Sequence, residues 1–134
     1  MSNPENALVR RVLIVDDNDD AAQLLGMFIG ALGHAVQVAN DGMSGLALAA
    51  EFLPEIVFLD LGMPGMSGYD VAPRLRTLAG VQHAYIAALT GWNDARTRER
   101  VAASGFDRHL TKPADIAVIQ SILDMAAGTA AHRA

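Results

Sequence analysis

Five short apolar segments alternate with five longer stretches of helical periodicity, and few folds accept that order. VLIV (12–15), AVQVA (35–39), IVFL (56–59) and AYIAAL (84–89) read as strands, and Asp107–Leu110 as a shorter fifth one. After the first strand, Leu24, Leu25, Phe28, Ile29 and Leu32 recur at helical spacing, and Gly33 supplies a helix stop. Gly42–Phe52 is a small helix with Leu46, Ala49 and Phe52 along one side and Pro54 behind it. Val71, Ala72, Leu75 and Leu78 mark a third helix, which Pro73 should kink or delay. Residues 94–103 form a polar helix capped by Asn93 or Asp94. Ile116, Ile119, Ile122, Leu123 and Ala126 line the last helix. Strands that alternate with helices lie parallel and are joined by right-handed crossovers. Five units are too few for an eightfold barrel, so the class is α/β with an open doubly wound sheet. IVFL is apolar throughout, as a strand covered on both faces must be.

The 134 residues suit one domain, and 51% hydrophobic residues suffice for a core without disulfides or a structural metal. Aromatics are only 5%, so that core is built from Val, Leu, Ile and Ala. The absence of Cys excludes disulfides, zinc–thiolate sites and a thiol nucleophile, and fits a reducing compartment. A net charge of -5 argues against nucleic-acid binding by the domain itself. No signal peptide is visible, and no apolar run approaches the ~20 residues that cross a membrane. The expectation is therefore a cytoplasmic domain over 11–127, with flexible tails at 1–10 and 128–134.

The residues that end the strands are unusual. VLIV runs directly into DDNDD, placing Asp16, Asp17, Asp19 and Asp20 together. Like charges this close repel, and each resists losing its water. In a doubly wound sheet all strands present their carboxyl ends at one edge, where ligands bind. That edge collects Asp16 and Asp17 from strand one, Asp60 from strand three, Thr90 from strand four and Lys112 from strand five. Clustered carboxylates call for a hard divalent cation with oxygen ligands, and few protein ligands plus water suits Mg²⁺. A metal and Lys112 beside a remaining carboxylate oxygen would make an aspartate a phosphoryl acceptor, with Thr90 donating to the arriving group.

These residues carry a resemblance. VDD (15–17), DLGMPGMSG (60–68), ALTG (88–91) and LTKP (110–113), in that order and at strand ends, resemble the response-regulator receiver domains of two-component signalling over residues 11–127. The resemblance implies a flavodoxin-like five-stranded parallel sheet of order 2-1-3-4-5 with five helices. It implies that Asp60 takes a phosphoryl group from a histidine kinase or phosphotransfer protein, with Lys112 pairing to the phosphoryl and Asp60 oxygens. Asp17, Asp60 and the Gly62 carbonyl would hold Mg²⁺, Asp16 would act mainly through water, and Thr90 would move toward the phosphate. Lys112–Pro113 would be cis. An effector would meet the face of helix four, strand five and helix five.

Three positions depart from the family pattern: His109 stands where Tyr or Phe is common, Gly62 follows Asp60 by two, and Trp92 follows Thr90 by two. Gly62 and Trp92 are expected to tune the lifetime of the phosphoryl bond. The sequence FDRHLTKPAD (106–115) also resembles receivers attached to hybrid histidine kinases.

Plainer assignments cover the rest. Asp19 and Asp20 open a helix, where acids favour the positive end. The EF-hand and dinucleotide patterns both fail. Arg96, Arg98 and Arg100 read as a solvated face, His34, His83 and His132 as surface, His109 as half-buried structure and the Met residues as gap fillers. Two other functions stay open. One is a Mg²⁺-dependent phosphohydrolase with an aspartyl nucleophile, although haloacid-dehalogenase-like enzymes carry theirs on strand one. The other is an interaction module independent of phosphorylation. A switch of this kind is not a turnover enzyme.

Overall fold

The structure, a computed structural model, describes residues 9–133, with side chains through Asp124. Its strands are β1 (Arg11–Val15), β2 (Ala35–Ala39), β3 (Ile56–Asp60), β4 (Tyr85–Thr90) and β5 (Arg108–Thr111). Its helices are α1 (Asp19–Ala31), α2 (Gly42–Phe52), α3 (Gly68–Leu75), α4 (Ala95–Ala103) and α5 (Ile116–Arg133). The strands form one parallel sheet of order β2-β1-β3-β4-β5, the expected doubly wound fold.

Every residue of β3 and β4 is buried, because strand side chains alternate between faces and helices cover both. Val12, Ile14, Ile56, Phe58, Ala87 and Leu89 point into one core, against Ile29 of α1 and Ile119, Ile122 and Leu123 of α5. Leu13, Val15, Val57, Leu59, Ile86 and Ala88 point the other way, against α2, α3, Val101 of α4 and Phe106.

Helices α1, α2 and α4 each begin on a polar side chain that satisfies a free backbone N–H. Asn18 accepts from Ala21, Asp41 from Ser44 and Asp94 from Thr97, so Asp94 and not Asn93 caps α4. These bonds to Ser44 and Thr97 hold the carboxyls of Asp41 and Asp94 below their ordinary range. α1 stops where Gly33 takes a left-handed φ of 97°, a conformation that costs glycine little.

Several local expectations are corrected. β4 and β5 each lie one residue further along than expected, so Thr90 and Thr111 are inside strands. Pro73 does not delay α3: the helix starts at Gly68, keeps Pro73 inside and ends at Leu75, leaving Leu78 beyond it. Leu24 (69% exposed), Leu32 (40%) and Ile116 (57%) are not core residues, because each flanks its helix stripe instead of facing the sheet. Met27 and Met43 are likewise exposed and fill no gap. Arg10, placed in the expected tail, is buried, and its N–H donates to His34 Nδ1 at 3.0 Å. α5 continues through Arg133, over part of the stretch expected as a C-terminal tail. The expected tail up to residue 8 lies outside the described residues, and Ala126 and His132 lie outside the described side chains. Among the described residues, no helix is long and apolar enough to cross a membrane.

Candidate functional site

The alternation that builds the two cores also sorts the polar residues at the carboxyl edge. Asp60 continues the Ile56–Phe58 face of β3, and Asp16 and Lys112 continue the corresponding faces of β1 and β5. Thr90 continues the opposite face, with Ile86 and Ala88. The four groups therefore meet at one edge from the two sides of the sheet.

Lys112 joins the acids. Its Nζ lies 3.1 Å from Asp16 Oδ2 and 3.3 Å from Asp60 Oδ1. Burial pushes the Lys112 ammonium down, but the Asp16 and Asp60 carboxylates outweigh it and hold the group above its ordinary value. Asp16 is raised, chiefly by its own burial and further by the Asp60 charge, although Asn18 N–H and Lys112 pull the other way. Both partners rise for one physical cause: the ammonium gains two carboxylates, whereas the buried Asp16 has only a share of one ammonium and its burial is not fully compensated.

Asp60 is 5% exposed, and its Oδ1 also accepts from Gly62 N–H at 3.1 Å. No hydrogen bond reaches Asp60 Oδ2 among the described residues. Asp17 stands exposed beside the pair, and the carboxylates of Asp16, Asp17 and Asp60 each offer an oxygen within 4.8 Å of the others. Such a set of oxygen donors suits a hard divalent cation. The Asp16 oxygens accept from Asn18 N–H at 3.0 Å and from Lys112 at 3.1 Å.

Thr90 is buried, and its Oγ1 accepts from Trp92 N–H at 3.1 Å. The Thr90 carbonyl takes the N–H of Lys112 at 2.7 Å, which fixes the β5 end against β4. The Lys112–Pro113 peptide is cis, as expected. The Trp92 ring is 73% exposed, turned further into solvent than a wall of the site would be. A side chain at Gly62 would start 3.9 Å from Asp60 Oδ1, an ordinary contact with no clash.

Sequence reasoning missed several supports. Asn40 Nδ2 donates to the Asp16 carbonyl at 2.9 Å and ties the β2 end to the site. Gly68 packs so tightly under Asp60 that a Cβ would stand 2.5 Å from its carbonyl oxygen. Arg76 sends its guanidinium to the carbonyls of Gly105, Gln82 and Ala84 and to Asp107 Oδ2, binding the end of α3 to β4 and the segment before β5. Only Gly68 had a visible signal, its place in DLGMPGMSG. Arg100 is no simple solvated residue: its guanidinium lies 3.8 Å over the Tyr69 ring, which meets Phe106 edge-on. Asp19 and Asp20 are exposed in the first turn of α1, as read.

Comparison with known proteins agrees with this geometry. Residues 12–124 match the response regulator receiver domain model. The chain is 34% identical over 106 residues to the DNA-binding dual master transcriptional regulator RpaA of Synechocystis, covering 79% of this chain and 44% of that protein. It is 34% identical over 114 residues to the sensor histidine kinase RcsC of Escherichia coli, covering 85% of this chain and 12% of that protein. It thus spans less than half the length of these curated relatives. The chemotaxis protein CheY4 of Vibrio cholerae shares the fold at a TM-score of 0.82, with 24% identity over 88% of this chain and 98% of that one. The receiver domain of sensor histidine kinase PA1611 from Pseudomonas aeruginosa, solved with a magnesium ion in its active-site cleft, matches at a TM-score of 0.80 and 25% identity, covering 90% and 98%. On its sequence match, its sheet order and the carboxylate–lysine edge, the chain belongs to the response-regulator receiver family.

Proposed function

We propose that this receiver domain accepts a phosphoryl group on Asp60 from a phosphohistidine of a histidine kinase or phosphotransfer protein. The carrying observation is Lys112, whose ammonium touches Asp60 Oδ1 and leaves Oδ2 as the oxygen without a hydrogen bond. Oδ2 attacks phosphorus in line, a P–O bond forms, the P–N bond to the donor imidazole breaks with its electron pair going to nitrogen, and the ring leaves as neutral imidazole because its other nitrogen already carries a proton. Lys112 neutralises charge on the Asp60 carboxylate and on the arriving oxygens. Thr90 donates its hydroxyl hydrogen to a phosphoryl oxygen once its side chain turns toward Asp60. Asp16, Asp17 and Asp60, with the Gly62 carbonyl, would hold Mg²⁺, as the similarity to the magnesium-bound PA1611 receiver supports. When bound, the ion supplies the positive charge that the three carboxylates and the phosphoryl oxygens both require.

An apolar groove of about 480 Å³ between α1 and α5, lined by Leu24, Phe28, Pro113 and Ile116, opens onto Asp16 and Lys112 and suits the donor's approach. The exposed Trp92 and Arg96 mark the α4–β5–α5 side for an effector, since Trp and Arg dominate interface energetics. The composition without Cys fits a cytoplasmic setting.

Acetyl phosphate with Mg²⁺ tests the reading. Wild type should gain one phosphoryl group, and Asp60→Asn none. Turnover of external phosphoesters by wild type, lost in Asp60→Asn, would instead make the domain a hydrolase.

A further inference from the structure

Among the described residues, β2 is one end of the sheet and pairs with β1 alone. Ala35 N–H donates to the Arg10 carbonyl, and the Ala39 carbonyl accepts from Asp16 N–H, each at 3.0 Å. Backbone groups alternate in direction along a strand. Ala35, Gln37 and Ala39 therefore turn their N–H and C=O toward β1, and Val36 and Val38 turn theirs away from the sheet. Such an edge accepts another strand unless charge or proline guards it. The opposite edge is guarded, since β5 carries Arg108 and runs into Lys112. Residues 35–39 carry neither charge nor proline, and they read AVQVA in both directions.

We propose that β2 is a self-association edge, at which a second copy of this chain adds its own β2 antiparallel about a two-fold axis through Gln37. A two-fold contact sets each position opposite its mirror position in the other copy. Because the strand reads alike both ways, Ala35 meets Ala39, Val36 meets Val38 and Gln37 meets itself. In this register Val36 and Val38, the residues with outward groups, exchange both backbone bonds across the axis. Gln37 falls at a pair without backbone bonds, where Cα atoms stand about 4.5 Å apart and side chains are closest. Its exposed amide both donates and accepts, so two of them satisfy each other. The flanking helix leaves room. A Cβ at Gly26 of α1 would lie 3.5 Å from Val36, 3.6 Å from Val38 and 3.7 Å from Ile14, so α1 runs over the seam of β1 and β2. With strands about 4.8 Å apart, the two copies of α1 come about 10 Å apart, a packing distance for helices. Gly30, with nothing within 4 Å of its Cβ position, and Met27, 69% exposed, lie on the flank of α1 away from Leu25 and Phe28, which face α5. A strand of unrelated sequence would gain the backbone bonds but not the Val–Val and Gln–Gln pairs, so the fitting partner is a second copy.

The contact uses neither Mg²⁺ nor the carboxyl edge, so the test uses the unphosphorylated chain and its result is independent of the reading of Asp60. In sedimentation equilibrium, wild type should pass from monomer to dimer as its concentration rises from micromolar to millimolar. Amide exchange at Val36 and Val38 should slow over the same range, while Gln37 N–H, bonded to β1 in both states, should not change. Gln37→Lys and Gln37→Glu, both at an exposed side chain, should each weaken the dimer about fivefold, because like charges then meet at the axis. An equal mixture of the two variants should associate at least as tightly as wild type, since Lys then faces Glu. Arg98→Glu, on α4 far from β2, should leave the dimer unchanged. A monomer throughout the range, a dimer indifferent to charge at position 37, a mixture no tighter than either variant alone, a dimer lost in Arg98→Glu, or exchange at Val36 and Val38 independent of concentration would each overturn the proposal.

Discussion

At the scale of single residues, the site depends on one cation placed between two acids. Lys112 has three kinds of neighbour: Asp16 and Asp60 beside its ammonium, and the Thr90 carbonyl on its backbone N–H. Lys112→Met keeps most of the stem and removes the charge. It should slow phosphoryl acceptance from acetyl phosphate by about a hundredfold, the size seen when one transition-state donor is deleted. Labelling kinetics check this, and a change under twofold would contradict the role. Gly68 matters by what it lacks. A methyl group there would stand 2.5 Å from the Asp60 carbonyl oxygen, and backbone cannot retreat as a flexible side chain can. Gly68→Ala should cost about 1–3 kcal/mol of stability through overpacking and displace Asp60. Urea unfolding measures the first effect and labelling rate the second. At Gly42 the contacts are longer, 2.9 Å to Met66 Sδ and to Val71 Cγ2, and both are side chains and not backbone, so Gly42→Ala should be milder.

At the scale of elements, the strands and their site residues were legible because the signals coincide. Apolar runs ended in Asp16, Asp60, Thr90 and Lys112, and a parallel sheet puts all strand ends on one side. Helix faces were less legible. Periodicity finds a stripe but not its width, and Leu24 and Ile116 sit at the margin where α1 and α5 part to leave the groove. The Arg76 clamp could not be read at all. It binds mainly backbone carbonyls, which leave no residue pattern, and its acidic partner stands 31 positions away. The Arg76 guanidinium is lowered by burial, and with Asp107 Oδ2 at 2.8 Å it joins α3 to the β4–β5 side of the sheet. Arg76→Ala should destabilise the fold by about 3 kcal/mol, as the loss of one partner of a largely buried pair does. Arg76→Lys should recover only part of this, since a single ammonium cannot span the carbonyls a planar fork reaches. Thermal unfolding of both variants decides the matter; an Ala variant as stable as wild type would show the clamp to be ornamental.

At the scale of the molecule, the two edges of the sheet answer to different ions. The carboxyl edge holds the acids and Lys112, and the amino edge holds Arg10 and His34. His34 is lowered from its ordinary value of 6.5, first by burial and then by the Arg10 charge. It binds a proton less readily folded than unfolded, so its contribution to stability is complete above pH 6.5 and falls as pH drops through the range below. Protonation would also cost the bond in which His34 Nδ1 accepts from Arg10 N–H. Unfolding temperature should therefore fall between pH 7.5 and 5.5, and fall less in His34→Gln; an identical drop in the variant would exclude His34 as a cause. The other edge carries the proposed function, whose central claim is that Asp60, paired with Lys112, is the phosphoryl acceptor. Incubation with acetyl phosphate and Mg²⁺, followed by borohydride reduction of the acyl phosphate and peptide sequencing, tests that claim directly. The account predicts homoserine at position 60, absent when Mg²⁺ is chelated. Reduction product at any other position, or none with donor and metal in excess, would contradict it.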